Sequence, residues 1–264
     1  MEERQVRYEV EGGQAVLTID RPRARNALSA QAVAELLAAV ERAEADPAVR
    51  VLVVTGAGEK TFCAGGDLSS MGAGEGFLSG HDGRRNYGAL LQRFAQARKP
   101  SIAKVNGHAL AGGLGLMLAC DLAVMVEDAE LGTPEIDVGL FPMMVMALLQ
   151  RHVGRKRALE LVMTGDRISA QQALAWGLVN RVVPRAELDT ATAALAEKLA
   201  GKSQAVLALG RRAFFTAEDL PLGQAVEHLS SQLSSPRFKI PILSSRGCNT
   251  CTNTLTRRAT TKFF

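Results

Sequence analysis

Asn106-Gly107-His108-Ala109-Leu110-Ala111-Gly112-Gly113-Leu114-Gly115 follows the apolar run Ser101–Val105 and leads into Leu114–Ala119. A short β-branched run closed by glycine reads as a strand, and the stretch after it has helical spacing. A strand that passes through a glycine turn into a helix is the repeating unit of a parallel α/β domain. The same arrangement starts earlier, where the run Val51–Thr55 is followed by a short loop and by Thr61-Phe62-Cys63-Ala64-Gly65-Gly66-Asp67. Two more runs, Ala15–Ile19 and Leu122–Val126, complete four expected strands. Between them, Ser29–Val40 has a serine N-cap candidate and apolar residues at i, i+3 and i+4, and Tyr87–Ala97 follows the same pattern.

From about Val145 the character changes. Leu148–Met163, Ser169–Trp176, Glu187–Ala200 and Ala205–Ala217 read as helices, broken at Gly154, Gly165, Gly177 and Gly201. The chain is therefore expected to carry an α/β core over residues 1–200, a helical region over 201–233 and an atypical basic tail over 234–264. Gly72–Gly83, rich in glycine and serine, reads as a surface segment.

Composition excludes several classes. Apolar residues make up 47% and charged residues 22%, which is ordinary globular usage. No apolar run approaches the roughly 18 residues that span a bilayer, and Met1–Tyr8 lacks the apolar core of a signal peptide. The expectation is a cytoplasmic protein with no membrane partner. Residues 234–264 hold six of the 31 basic residues and none of the 27 acidic ones, so the rest of the chain carries 25 basic against 27 acidic. The basic balance belongs to the tail, which argues against nucleic acid as a partner. Ten of the 31 tail residues are serine or threonine, fitting either a flexible end or an altered terminus. Cys63 and Cys120 lie in apolar surroundings and read as buried thiols. Cys248 and Cys251 form a C-x-x-C without a second pair, so no metal site is expected.

Two glycine turns after neighbouring strands can aim two backbone N–H groups at one oxygen, the geometry of an oxyanion hole. Each turn by itself is more often a plain tight turn. Gly56–Thr61 lacks the spacing of a phosphate-binding loop, and no G-x-G-x-x-G opens a dinucleotide fold. Farther on, Glu135 in Gly132-Thr133-Pro134-Glu135-Ile136 stands among apolar residues, where a carboxyl can exchange protons near neutrality. Asp137 is the competing acid.

In order and spacing these segments resemble the enoyl-CoA hydratase/isomerase, or crotonase, family. The resemblance rests on Arg25-Asn26-Ala27-Leu28, Phe62–Asp67, Asn106–Leu114, Cys120-Asp121, Pro134-Glu135, Thr164–Ala170 and Ala175–Val179. It implies a spiral of ββα units with a C-terminal helical trimerisation region, assembled as a homotrimer or hexamer. It further implies oxyanion donors at Gly66 and Gly112, and a proton-handling Glu135. Coenzyme A would lie along Arg25, Ala27, Ala64, Gly65 and Leu68. The substrate would be an acyl-CoA thioester, with coenzyme A part of the substrate and no separate cofactor.

The pattern departs at Gly115, where hydratases of the family carry a second glutamate three residues after the oxyanion glycine. A single glutamate suffices to move a proton between C2 and C4 of an enoyl thioester, so isomerisation gains on hydration. Ser69 replaces a lysine that some relatives offer to the CoA phosphate, and Met143-Met144 replaces smaller residues. Residues 234–264 match no closing helix of the family. The rival readings are a decarboxylase or thioester hydrolase on the same scaffold, or a catalytically weakened acyl-CoA-binding protein.

Overall fold

Strand β1 (Val6–Glu11) turns through Gly12 and Gly13 into its antiparallel partner β2 (Gln14–Ile19). Both glycines have positive φ, 55° and 80°, as a tight hairpin requires. The structure is a computed structural model that describes residues 4–67 and 77–233, and of residues 77–84 the backbone alone. Leu68, Ser69, Cys248, Cys251 and the basic tail lie outside the described residues.

Beyond the hairpin the main sheet is parallel. Strands β3 (Val51–Gly56), β5 (Ser101–Val105), β7 (Leu122–Val126) and β10 (Arg181–Val183) follow β2 in that order. Every residue of β3 is buried, the mark of a strand covered on both faces. A second sheet holds β4 (Thr61–Cys63), β6 (His108–Leu110) and β8 (Glu130–Gly132) in parallel, with β9 (Arg167–Ser169) antiparallel at its edge.

Helix α1 (Ala30–Ala45) starts where the Ser29 side chain accepts from the Ala32 N–H at 3.1 Å. It buries Ala32, Val33, Leu36, Ala39, Val40 and Ala43, one stripe at helical spacing. Helix α2 (Phe77–Gln96) packs against α1 and against α3 (Gly112–Ala119). Because α3 is apolar all round and buried from Gly113 to Ala119, it is a core helix. Helices α4 (Met143–His152) and α5 (Arg155–Thr164) divide at Gly154. Next come α6 (Ala170–Ala175), with a Ser169/Gln172 capping box, and α7 (Leu188–Ala200), which covers β3, β5 and β7. Helices α8 (Gln204–Ala217) and α9 (Leu222–Leu233) end the described chain. Contacts divide the chain into two compact units, with the division between Phe215 and Thr216 inside α8. Among the described residues no helix is long and apolar enough to cross a membrane.

The α/β architecture is as expected from the sequence, with the four expected strands in the main sheet. Helix α2 begins ten residues before Tyr87, so residues 77–83 of the segment Gly72–Gly83 are helical, and residues 72–76 of it lie outside the described residues. The hairpin strand β1 was missed, and so were the small sheet and β10, with β9 and β10 lying in the region read as helical. Strands of three residues are too short to show a period of two.

Asp121 ties these layers together. Its carboxylate accepts from the Ser101 N–H at 2.7 Å and hydroxyl at 3.1 Å, and from Arg211 on α8 at 2.6 and 2.9 Å. Arg211 also donates to the carbonyls of Phe94 and Ala97. The pair is mostly buried, with side-chain exposures of 10% and 17%. Asp121→Ala leaves a guanidinium and a strand N–H without their acceptor. A loss of roughly 2–3 kcal/mol is expected, discounted for residual exposure, to be read from urea denaturation of the full chain.

Candidate active site

Strands β4, β6 and β8 run side by side in one direction, pairing Thr61 with His108, Cys63 with Ala109, and Leu110 with Gly132. The chain therefore leaves all three at the same edge of the sheet. Gly66 follows β4, Gly112 follows β6 and Glu135 follows β8, so three separate parts of the sequence are delivered to one place. Carboxyl ends of parallel strands are where α/β folds bind ligands. The Ala111 N–H donates to the Gly132 carbonyl at 2.9 Å, fixing the start of α3 to the segment that carries Glu135.

The two glycine turns touch. Gly65 has φ 99°, and a Cβ there would stand 2.5 Å from the Ala111 Cβ and 3.0 Å from the Gly112 nitrogen. A Cβ on Gly113 would overlap the Cys63 carbonyl. Such approach is open to glycine alone. Ala111 itself holds φ 52° and ψ −130°, a conformation that costs a non-glycine residue about 1–3 kcal/mol. That strain aims the chain into α3. Gly112 is the first residue of the helix, so its N–H has no helical acceptor. Gly66 pairs with Leu28 through its neighbours: Leu28 N–H donates to Gly65 O at 2.7 Å, and Asp67 N–H to Leu28 O at 3.0 Å. Among the described residues, neither the Gly66 nor the Gly112 N–H has a hydrogen-bond acceptor.

Arg25 and Asn26 both adopt left-handed backbone, φ 53° and 54°. Asn26 makes this possible: its Nδ2 donates to the carbonyls of Ala57 and Thr61 at 2.9 and 2.7 Å, and its Oδ1 accepts from the Arg21 N–H. The Ala64 N–H donates to the Arg25 carbonyl at 3.1 Å. Arg21 clamps the same loop, pairing with Asp67 at 2.7 Å and donating to the Ala27 carbonyl. Arg25, Ala27, Ala64 and Gly65 are thus gathered beside the glycine turns. A cavity of about 860 Å³ opens next to Arg25, lined also by Lys60, His108, Asp128 and Arg185, but it includes none of Gly66, Gly112 and Glu135. The strand-end geometry is the better guide to the chemistry, since Arg185 there is already paired with Asp128 at 2.7 and 2.8 Å.

Glu135 lies in a 3-10 turn, Pro134–Val138, closed by Gly139 in left-handed backbone. The residue is half-buried, yet its Oε2 is cut off from solvent and has no hydrogen-bond partner among the described residues. Burial pushes its carboxyl above the ordinary value, against a smaller pull from its own backbone N–H. Asp137 is exposed, and its oxygens stand 3.5 Å from where a Cβ on Gly165 would be, toward the end of α5. Of the two competing acids, Glu135 is the half-buried one and Asp137 the exposed one.

Tyr87 was missed as a site residue in the sequence. It is buried, and its hydroxyl donates to the Gly112 carbonyl at 2.6 Å. Burial above all holds its phenol well above the usual value, with the nearby Cys63 and Glu135 acting in the same direction when ionised. Its only sequence signal was an aromatic ring at the head of an apolar stripe, which ordinarily means core. Cys63, whose thiol burial pushes up to about 12, stays protonated and inert.

The profile of the enoyl-CoA hydratase/isomerase family matches residues 9–239. A putative enoyl-CoA hydratase of Thermus thermophilus is 41% identical over 204 residues, covering 75% of this chain and 79% of that relative. A hydroxycinnamoyl-CoA hydratase-lyase of Pseudomonas fluorescens is 35% identical over 241 residues, covering 88% and 86%. Among solved structures, an enoyl-CoA hydratase of Mycobacterium smegmatis superimposes with a TM-score of 0.84 at 34% identity, covering 88% of this chain and 90% of that one. Fold and matches define the class, an acyl-CoA enzyme on the crotonase scaffold. The chain belongs to the enoyl-CoA hydratase/isomerase family.

Proposed function

We propose that the protein isomerises enoyl-CoA thioesters through an enolate held by two backbone amides, with Glu135 as the single proton carrier. The observation that carries this reading is the solvent-shielded Oε2 of Glu135 at the strand edge shared with two N–H groups, all three without a hydrogen-bond partner among the described residues. The thioester oxygen accepts from Gly66 and Gly112. As charge develops on that oxygen, each donor contributes about 3 kcal/mol to stabilising it. Glu135 removes a proton from C2 of a 3-enoyl thioester, the C3–C4 electron pair joins the dienolate, and the same carboxyl returns the proton to C4. Coenzyme A is part of the substrate, lying along Arg25, Ala27, Ala64, Gly65 and Leu68, and the reaction draws on no metal or redox cofactor.

Exposed apolar side chains Val138, Leu140, Phe141, Met143 and Met163 support assembly with further copies as a trimer or hexamer. A second reading, hydration of 2-enoyl-CoA, is favoured by the names of the relatives. Incubating the protein with a 3-enoyl-CoA and separately with crotonyl-CoA separates the two. Conversion of the first without water addition to the second is expected. Fast hydration of crotonyl-CoA overturns the single-glutamate reading, and tight CoA-ester binding with no turnover of either replaces it with a binding protein.

A further inference from the structure

Helices α2, α3 and α4 meet beside Gly112, and one hydroxyl occupies the junction. A Cβ on Gly112 would lie 3.4 Å from Tyr87 Cζ and 3.5 Å from its Oη. One turn later, a Cβ on Gly115 would overlap the Tyr87 Oη and come within 3.2 Å of Val145 Cγ2. Position 115 therefore points at space that is already full. Its glycine is matched to a buried tyrosine contributed by another helix.

We infer that Tyr87 sets the reaction specificity of this site, by filling the space a side chain at 115 would enter and by holding the Gly112 carbonyl. The inference rests on the enolate reading above and extends it. Adding water across a double bond needs one group to take a proton from water and a second to protonate carbon. Glu135 can serve as one. The Tyr87 proton is committed to Gly112 O, and a phenol so buried remains neutral, so it cannot act as the other. What its oxygen still offers is a lone pair, enough to hold a water molecule without activating it. At the same time the hydroxyl fixes the first turn of α3, on which the direction of the Gly112 N–H depends. Tyr87 is thus a positioning residue, acting through Gly112 and through occupied volume.

Three variants of the full chain test this, assayed with a 3-enoyl-CoA and with crotonyl-CoA. Tyr87→Phe removes one hydrogen bond and is expected to lower the isomerisation kcat about tenfold with KM nearly unchanged. Gly115→Glu alone is expected to lose isomerisation without gaining hydration, since the new side chain meets the phenol. Tyr87→Ala combined with Gly115→Glu opens the space and supplies a carboxylate. Its ratio of hydration to isomerisation is expected to exceed that of the wild type by at least about a hundredfold. Hydration by Gly115→Glu alone as fast as by the double variant overturns the inference, and so does a Tyr87→Phe enzyme with unchanged kcat. Should the double variant fail to fold, the Tyr87→Phe split between kcat and KM decides. Wild-type protein inert toward both substrates sinks the enolate reading and this inference with it, whereas an active wild type with indifferent variants sinks the inference alone.

Discussion

Glu135→Gln is expected to lower turnover of a 3-enoyl-CoA by about a thousandfold, while CoA-ester affinity changes little. The amide keeps the size of the carboxyl but cannot take the C2 proton, and both proposed oxyanion donors belong to the backbone. Residual activity measures what the amides do alone. The pH profile follows from the direction of the carboxyl shift. Burial raises the Glu135 pKa above its ordinary 4.5, and only the ionised form is a base. Wild-type kcat should therefore rise with pH through a window above 4.5, and the residual rate of the variant should show no such rise. Stability runs the other way. Within that window the folded chain holds the proton that the unfolded chain has released, so unfolding free energy falls as pH rises. Glutamine never ionises. Melting temperatures of the two proteins should converge at acid pH, and at neutral pH the inactive variant should melt higher. Equal melting temperatures at neutral pH would mean that the carboxylate is well solvated, contrary to a shielded Oε2.

That trade between activity and stability was partly visible in the sequence. Glu135 could be picked out because its sequence neighbours Ile136, Val138, Leu140 and Phe141 are apolar, although the last three are exposed and do not themselves shield it. The glycine pairs were visible for a similar reason, since Gly65-Gly66 and Gly112-Gly113 each follow a strand. What no spacing could supply was the small sheet that puts them side by side. Strands β4, β6 and β8 have three residues each, and their pairing depends on contacts between segments tens of residues apart. Asn26 illustrates the same limit. Its three hydrogen bonds hold two consecutive left-handed residues, a task that shows only once Ala57 and Thr61 are in place. Tyr87 was hidden more deeply, because its importance lies in the side chain that position 115 lacks. A glycine whose Cβ would strike a distant hydroxyl is indistinguishable in sequence from a glycine in a turn.

Gly65→Ala should be far more damaging than Gly66→Ala, although the two positions are adjacent and chemically alike. At Gly65 the backbone has φ 99°, which L-residues rarely adopt, and the added methyl would meet Ala111 Cβ at 2.5 Å. Ordinary contact begins nearly 1 Å farther out, so one of the two turns must retreat by about that distance. The retreat stretches the Leu28 N–H to Gly65 O bond and separates the two amides. Misplacement of about 1 Å costs on the order of a hundredfold in turnover, and strain plus overpacking costs roughly 2–3 kcal/mol of stability. At Gly66 no φ constraint applies, and among the described residues nothing lies within 4 Å of the added methyl. Gly66→Ala should melt within a degree or two of wild type, as surface changes of under about 0.5 kcal/mol do. Its effect should appear in KM or kcat, because the methyl is added beside the N–H proposed to meet the thioester oxygen. Kinetics and thermal melting of the two variants side by side make the comparison. If Gly65→Ala retained both its melting temperature and its turnover, the two glycine turns could not be packed against each other, and the amides of residues 66 and 112 could not share one oxygen.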